Sequence, residues 1–231
     1  MRALILAAGR GERLRPLTDT VAKPLLAAAG KRLIEWQIEA LVRAGVRELV
    51  INTAHLAEQV ESTLGDGGRY GASIVYSREG VDAAGALETL GGLVRALPLL
   101  GDAPFIVTSG DIVTEFDYAC LRDIARMLGQ GRIDAHLVLV PNPPYHPQGD
   151  MGIDAAADPP RASRVAPLHT YGNIGVFAPR LFAGLPAARA RLFPWMYEPV
   201  ANGRVGAQLW RGRWCNVGTA KDLAQVDRMW R

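Results

Sequence analysis

Between Arg2 and Val140 the chain alternates short apolar runs with longer segments whose apolar residues recur every three or four positions. A short run is buried on both faces of a sheet, whereas the longer period buries one stripe of a helix, so this alternation demands βαβ units around a mainly parallel sheet. It predicts strands at Arg2–Ala7, Val46–Asn52, Ser73–Tyr76, Pro104–Thr108 and Asp134–Val140. Between them, "LIEWQIEALVRAG" puts Leu33, Ile34, Ile38, Leu41 and Val42 on one face and stops at Gly45, a helix with a glycine terminus. Leu56–Leu64, Leu87–Leu97 and Asp117–Leu128 read as further helices. The alternation ends after Val140, where "PNPPYHPQGD" and "DAAADPPRAS" are rich in turn formers and the next apolar run, Asn173–Phe177, has no crossover helix before it. The last third is therefore expected to be an antiparallel or mixed addition that closes over the sheet and finishes with a helix near Ala220–Met229.

Composition narrows the class of ligand. The net charge of +3 and pI near 9.1 suit anions, but the basic residues are scattered among 23 acidic ones, with no stripe or tail for nucleic acid. Phosphorylated small molecules fit better. Cys120 and Cys215 lie far apart without CxxC spacing, which argues against a disulfide framework or zinc knuckle and fits a reducing cytoplasm. "ALILAA" is too short for an export segment and runs into Arg10, Glu12 and Arg13. No uninterrupted apolar run is long enough to cross a membrane.

The first strand leads directly into "GRGERLRP", which places exposed backbone N–H groups at the carboxyl end of a strand, where open α/β sheets bind ligands. A Walker A loop would need GxxxxGK[ST], which is absent. A dinucleotide fingerprint would need a helix starting inside GxGxxG. Here Gly9 and Gly11 are followed by Glu12, Arg13 and Leu14, with Pro16 where that helix should run. A wrap-around phosphate loop is the third reading: amides near Ala8–Gly11 approach a polyphosphate while Arg13 supplies a planar fork and Lys23 a compact cation. Asp111 follows the apolar strand "PFIVTSG", so its carboxylate emerges at the same sheet edge beside Gly110. A hard oxygen there suits Mg²⁺; the alternative is an aspartate capping a turn. The four histidines, His55, His136, His146 and His169, show no metal spacing, and no serine or cysteine sits in a nucleophile elbow. Trp36, Trp195, Trp210, Trp214 and Trp230 read as core before they read as a sugar platform.

"GRGERLRPLT" (Gly9 to Thr18), followed by the pair Lys23-Pro24, resembles the signature of the sugar-1-phosphate nucleotidyltransferases. "LIEWQIEALVRAGVRELVIN", "ALETLGGLVRALPLLGDAPF", "SGDIVTEFD" and "GRWCNVGT" fall in that family's order, so the resemblance covers nearly the whole chain. It is greatest to the branch that acts on N-acetylmuramate 1-phosphate in cell-wall recycling. The resemblance implies a Rossmann-like, three-layer α/β/α mixed sheet, mainly parallel, with a smaller antiparallel addition on the sugar side. It implies one domain over residues 1–231, with a nucleotide-binding half at 1–140 and a sugar-binding half at 141–231. The implied substrates are UTP and a sugar 1-phosphate, and the implied cofactor is Mg²⁺.

Carried over position by position, the resemblance puts Ala8, Gly9, Gly11, Glu12, Arg13, Lys23, Glu88, Thr89 and Gly91 around the nucleotide, with Arg13, Lys23 and Asp111 catalytic. Asp111 and Asn216 become the metal ligands, and Gly149, Asp150 and Asn173, near Gly152 and Gly175, contact the sugar. Asn216 departs from the muramate branch, which carries aspartate there; it keeps a carbonyl oxygen but loses a charge. Leu90 stands where a glycine or other small residue is expected. The chemistry agrees with the lack of a nucleophile or base, because a sugar phosphate is already an anion and needs charge neutralisation and in-line alignment. Glucose, mannose or N-acetylglucosamine 1-phosphate with a thymine or guanine nucleotide, and a catalytically weak nucleotide-sugar-binding module, stand as alternatives.

Overall fold

The computed structural model of the chain describes residues 1–80 and 86–230. Its elements in chain order are β1 (Arg2–Leu6), α1 (Leu17–Thr20), β2 (Ala27–Ala28), β3 (Lys31–Arg32), α2 (Leu33–Arg43), β4 (Glu48–Thr53), α3 (Ala57–Leu64), β5 (Ser73–Arg78) and α4 (Glu88–Leu100). They continue with β6 (Phe105–Ser109), β7 (Ile112–Thr114), α5 (Leu121–Gly129), β8 (Ala135–Val140), β9 (Gly152–Asp154), β10 (Arg161–Ser163) and β11 (Thr170–Phe177). The chain ends with α6 (Leu192–Trp195), α7 (Tyr197–Ala201), β12 (Val205–Leu209), β13 (Trp214–Asn216) and α8 (Ala220–Met229).

Nine strands form one mixed sheet in the order β5-β4-β1-β6-β11-β8-β12-β10-β9. β5, β4, β1 and β6 run parallel, the expected consequence of helical crossovers. Alternation along β1 sorts the core into two layers. Ala3 and Ile5 pack with Ile34, Ile38 and Leu41 of α2, Val60 of α3 and Leu121 of α5. Leu4 points the other way, to Leu90, Leu93 and Val94 of α4, to Leu192 of α6 and Val200 of α7, and to Met196 between those two helices. A third cluster joins Leu14, Leu26, Leu33, Val113, Val217 and Val226, with Trp36 edge-on to Trp230 at 6.3 Å between centroids.

The expected three-layer architecture is present, and the last third does more than close over it. β11 inserts antiparallel between β6 and β8. β12 then joins parallel to β8, so two strands from the last third, β11 and β12, belong to the main sheet. Three small antiparallel pairs complete the picture: β9 with β10 at the sheet edge, and β2 with β3 and β13 with β7 apart from it. The β13–β7 pair carries Asn216 back to the mouth of β6. Among the described residues no helix is long and apolar enough to cross a membrane.

Candidate active site

The glycine loop leaves β1 at the carboxyl edge of the sheet, and its path is set from below. Ala7 N donates to Asn52 Oδ1 at 2.6 Å. Gly11 has φ +71°, a conformation that favours glycine, and a Cβ there would stand 3.0 Å from the Lys23 and Thr18 side chains. Its carbonyl accepts from Leu14 N at 2.8 Å and from Thr18 Oγ1 at 2.9 Å. A Cβ on Gly9 would meet nothing within 4 Å, so bare backbone faces open space. That space is a cleft of about 530 Å³ lined by Ala8, Gly9, Arg10, Gly11 and Glu12, by Glu88 and Thr89, and by Asp111. Three distant stretches of sequence converge here.

Asp111 is held at the junction of β6 and β7. Gly110 N donates to Leu6 O at 2.8 Å, and a Cβ on Gly110 would sit 3.3 Å from both that oxygen and Ile34. Gln37 of α2 reaches through the core to donate Nε2–H to Ile112 O at 2.8 Å. The Asp111 carboxylate receives the Lys23 ammonium in an ion pair. Asn216 lies across from Ile112 in the β7–β13 pair, and Val217 N donates to Asp111 O at 2.9 Å. The Asn216 Oδ1 atom is buried without a hydrogen-bond partner. A buried carbonyl left unsatisfied on the strand that pairs just after Asp111 fits a hard cation that takes one or two protein oxygens and fills its remaining positions with phosphate oxygens and water. Among the described residues no group of three or more His, Cys, Asp or Glu could hold a metal by itself.

Arg13 lies just beyond Asn216, at the end of β13. Its guanidinium lies against Gly218, where a Cβ would stand 2.7 Å from Nη2. It lines a second cleft, of about 500 Å³, with Tyr145, Trp214, Asn216 and Lys221. Lys23 thus pairs with Asp111, and Arg13 lines the cleft that holds Asn216.

Other residues singled out from sequence lie elsewhere. Gly91 is buried in α4 with its N–H directed to Ala190 O at 3.3 Å, and a Cβ would overlap Ala188 O. Its lack of a side chain lets the 188–190 segment cross the helix. Leu90 is 4% exposed and belongs to the core beneath α4. Gly149 has φ +66°, and a Cβ would stand 2.8 Å from Asn142 Oδ1. Asp150 Oδ2 accepts from Tyr171 N at 2.8 Å and its Oδ1 meets His146 Nε2 at 3.1 Å. Asn173, with φ +57°, occupies the irregularity where the β11–β8 register shifts between Tyr171 and Ile174. Gly149, Asp150 and Asn173 line neither cleft. A Cβ on Gly152 would overlap Val165 O, and one on Gly175 would stand 2.8 Å from His136 O.

The first cleft also holds groups that no motif announced. Asn52 donates through Nδ2 to Glu79 Oε1, and Glu79 Oε2 accepts from Leu87 N at 2.8 Å. Burial pushes the Glu79 carboxyl above the ordinary carboxylate range, against the pull of the Leu87 and Asn52 hydrogen bonds. Arg10 Nε is buried without a partner. Arg189 and Arg191 line the rim, their nitrogens 3.6 and 3.8 Å from Glu88 Oε1. One signal was available for Asn52: like Asp111, it is a polar residue at the carboxyl end of an apolar strand, "ELVINT".

The family model described as nucleotidyl transferase matches residues 2–164. An N-acetylmuramate alpha-1-phosphate uridylyltransferase from Neisseria meningitidis is 44% identical, across 99% of this chain and 98% of its own. A protein of the same description from Caulobacter vibrioides is 34% identical across 94% of this chain and 91% of its own. The crystal structure of a Bacillus anthracis protein in complex with a sucrose matches with TM-score 0.83 over 100% of this chain and 95% of that one; at 20% identity, this likeness is one of fold.

Proposed function

We propose, because this chain belongs to the nucleotidyl transferase family and is a sugar-1-phosphate nucleotidyltransferase, that it transfers UMP from UTP to N-acetylmuramate 1-phosphate, giving UDP-N-acetylmuramate and pyrophosphate. The observation that carries this reading is full-length similarity to two uridylyltransferases described for that sugar, joined to a cleft lined by bare glycine backbone and arginines. In the reaction a phosphate oxygen of the sugar attacks the α-phosphorus of UTP, a new P–O bond forms, and the bond to the β-phosphate oxygen breaks as pyrophosphate leaves. The attacking oxygen carries no proton that must be removed, which agrees with a cleft whose lining, among the described residues, has no histidine or cysteine.

The residues divide the work by position. The open backbone at Gly9, with the partnerless Arg10 Nε, receives the triphosphate. Lys23 exchanges its carboxylate partner, Asp111, for phosphate oxygens as UTP enters, which keeps the local charge balanced. Asp111 and Asn216 would hold Mg²⁺, which when bound neutralises phosphate charge and favours in-line alignment. Arg13 approaches the same junction from the second cleft. Glu88 and Thr89 face the nucleotide from the first turn of α4. Residues 1–140 supply the nucleotide half of one catalytic domain and residues 141–231 the sugar half. The activity belongs to the return of cell-wall sugars to nucleotide-linked form in the cytoplasm, a compartment that suits the free thiols of Cys120 and Cys215.

The test is pyrophosphate release from UTP and N-acetylmuramate 1-phosphate with and without Mg²⁺. Release that requires both substrates and the metal supports the reading. UTP binding without release overturns it in favour of a nucleotide-binding module.

A further inference from the structure

The second cleft is built unlike the first. Its wall is a run of flat or compact apolar groups, Pro141, Pro144, Tyr145 and Trp214, that suits a ring. Trp214 is fixed in place by donating Nε1–H to Gly172 O at 2.9 Å. Two cations, Arg13 and Lys221, line the space, and neither makes an ion pair among the described residues. The carboxylate in the lining, Asp222, is already committed: its Oδ2 accepts from Gly218 N at 3.0 Å and from Thr219 N and Thr219 Oγ1 at 2.8 Å. The lining therefore carries two cations against one carboxylate, an excess of positive charge. Lys221 also sits in the first turn of α8, where a cation opposes the helix dipole and costs stability.

We propose that this cleft receives the sugar 1-phosphate and that Lys221 selects for an acidic substituent on the sugar ring, an inference that rests on the transferase reading above. Asn216 is shared between this cleft and the Asp111 junction, so the anomeric phosphate belongs at that end, near Arg13. Lys221, on the helix beyond, is then left for a second anion. N-acetylmuramate has one, the carboxylate of its lactyl ether, and N-acetylglucosamine is the same ring without it. A charge-assisted contact of this kind is worth about ten- to a hundredfold in discrimination.

The experiment compares kcat/KM for N-acetylmuramate 1-phosphate and N-acetylglucosamine 1-phosphate in the native protein, Lys221→Met and Lys221→Arg. The ratio of the two is expected to fall at least about tenfold in Lys221→Met and to recover in Lys221→Arg. A ratio within about twofold of native in Lys221→Met overturns the assignment. Equilibrium binding of free N-acetylmuramate and N-acetylglucosamine, followed by NMR, reads the cleft apart from turnover. A preference for the acid that disappears in Lys221→Met supports the assignment even where the muramate phosphate is not turned over, an outcome that would sink only the transferase reading for that sugar. Absence of any preference for the acid in the native protein overturns the Lys221 assignment.

Discussion

Replacing Asn52 with alanine should loosen the nucleotide cleft from beneath. Asn52 is 3% exposed and bridges two segments that line the cleft, accepting from Ala7 N at 2.6 Å and donating to Glu79. The substitution strands a buried N–H on the loop that follows β1 and removes one of two hydrogen bonds to Glu79, whose other donor, Leu87 N at 2.8 Å, remains. Each stranded buried group costs about 1–3 kcal/mol, and the surviving Leu87 bond puts the Glu79 share at the low end, so the total loss is about 3 kcal/mol. Set against a typical folding stability of about 5–15 kcal/mol, the variant still folds. Urea unfolding reads the first effect, and UTP titration calorimetry the second, an expected affinity loss of about tenfold as the loop amides lose their fixed geometry. Stability within about 0.5 kcal/mol of native together with unchanged UTP affinity would refute the idea that this network holds the loop. Asn52→Asp sharpens the test. It keeps an acceptor for Ala7 but sets a second carboxylate beside Glu79, whose carboxyl burial already raises. With the folded-state value raised further, stability should be retained at low pH and lost as pH rises.

Asp111→Ala is expected to abolish turnover while leaving the melting transition cooperative; near-native turnover would remove Asp111 from the reacting centre. Asn216→Asp adds the charge that the site lacks and should lower the Mg²⁺ concentration for half-maximal activity, which a metal titration of the rate would show. Gly92→Ala drives a Cβ into Glu79 Oε1 and to 2.9 Å from Asn52 Nδ2, and should cost about 1–3 kcal/mol in urea unfolding and weaken UTP binding; a native-like melt would contradict the close packing. His136 is buried and its Nε2 faces Gln208 Oε1 at 3.0 Å, while burial lowers its value from 6.5 to about 4. The neutral ring stabilises the fold above pH 6.5, and about 3 kcal/mol should be lost as pH falls from 6.5 toward 4, because the unfolded chain takes up the proton first. His136→Gln should flatten that part of the stability profile, and an unchanged slope would count against the assignment.

What the sequence made legible follows from how local each signal is. The first strand, the glycine turn and the helix at Ala220–Met229 rest on neighbouring residues, and the structure places them where pattern and capping chemistry require. Asp111 was readable because an apolar strand leads straight to it. The β7–β13 pair was not, since three-residue strands such as "IVT" and "WCN" are too short to show a period. β12, "VGAQL", lacks the long apolar run of a buried strand and takes its place through parallel pairing with β8, a contact distant in sequence. Leu90 stands where a small residue is expected, but α4 turns it inward to the core, while Gly91 and Gly92 accommodate the crossing chain and Glu79. The Asn52–Glu79–Leu87 network joins residues separated by 27 and 8 positions, which periodicity does not encode.

The most direct test of the account is a competition: UTP and Mg²⁺ with equimolar N-acetylmuramate, N-acetylglucosamine, glucose and mannose 1-phosphates, the nucleotide sugars then resolved by mass. UDP-N-acetylmuramate should dominate the products. Predominance of another UDP-sugar, or no nucleotide sugar at all, would contradict the proposed reaction.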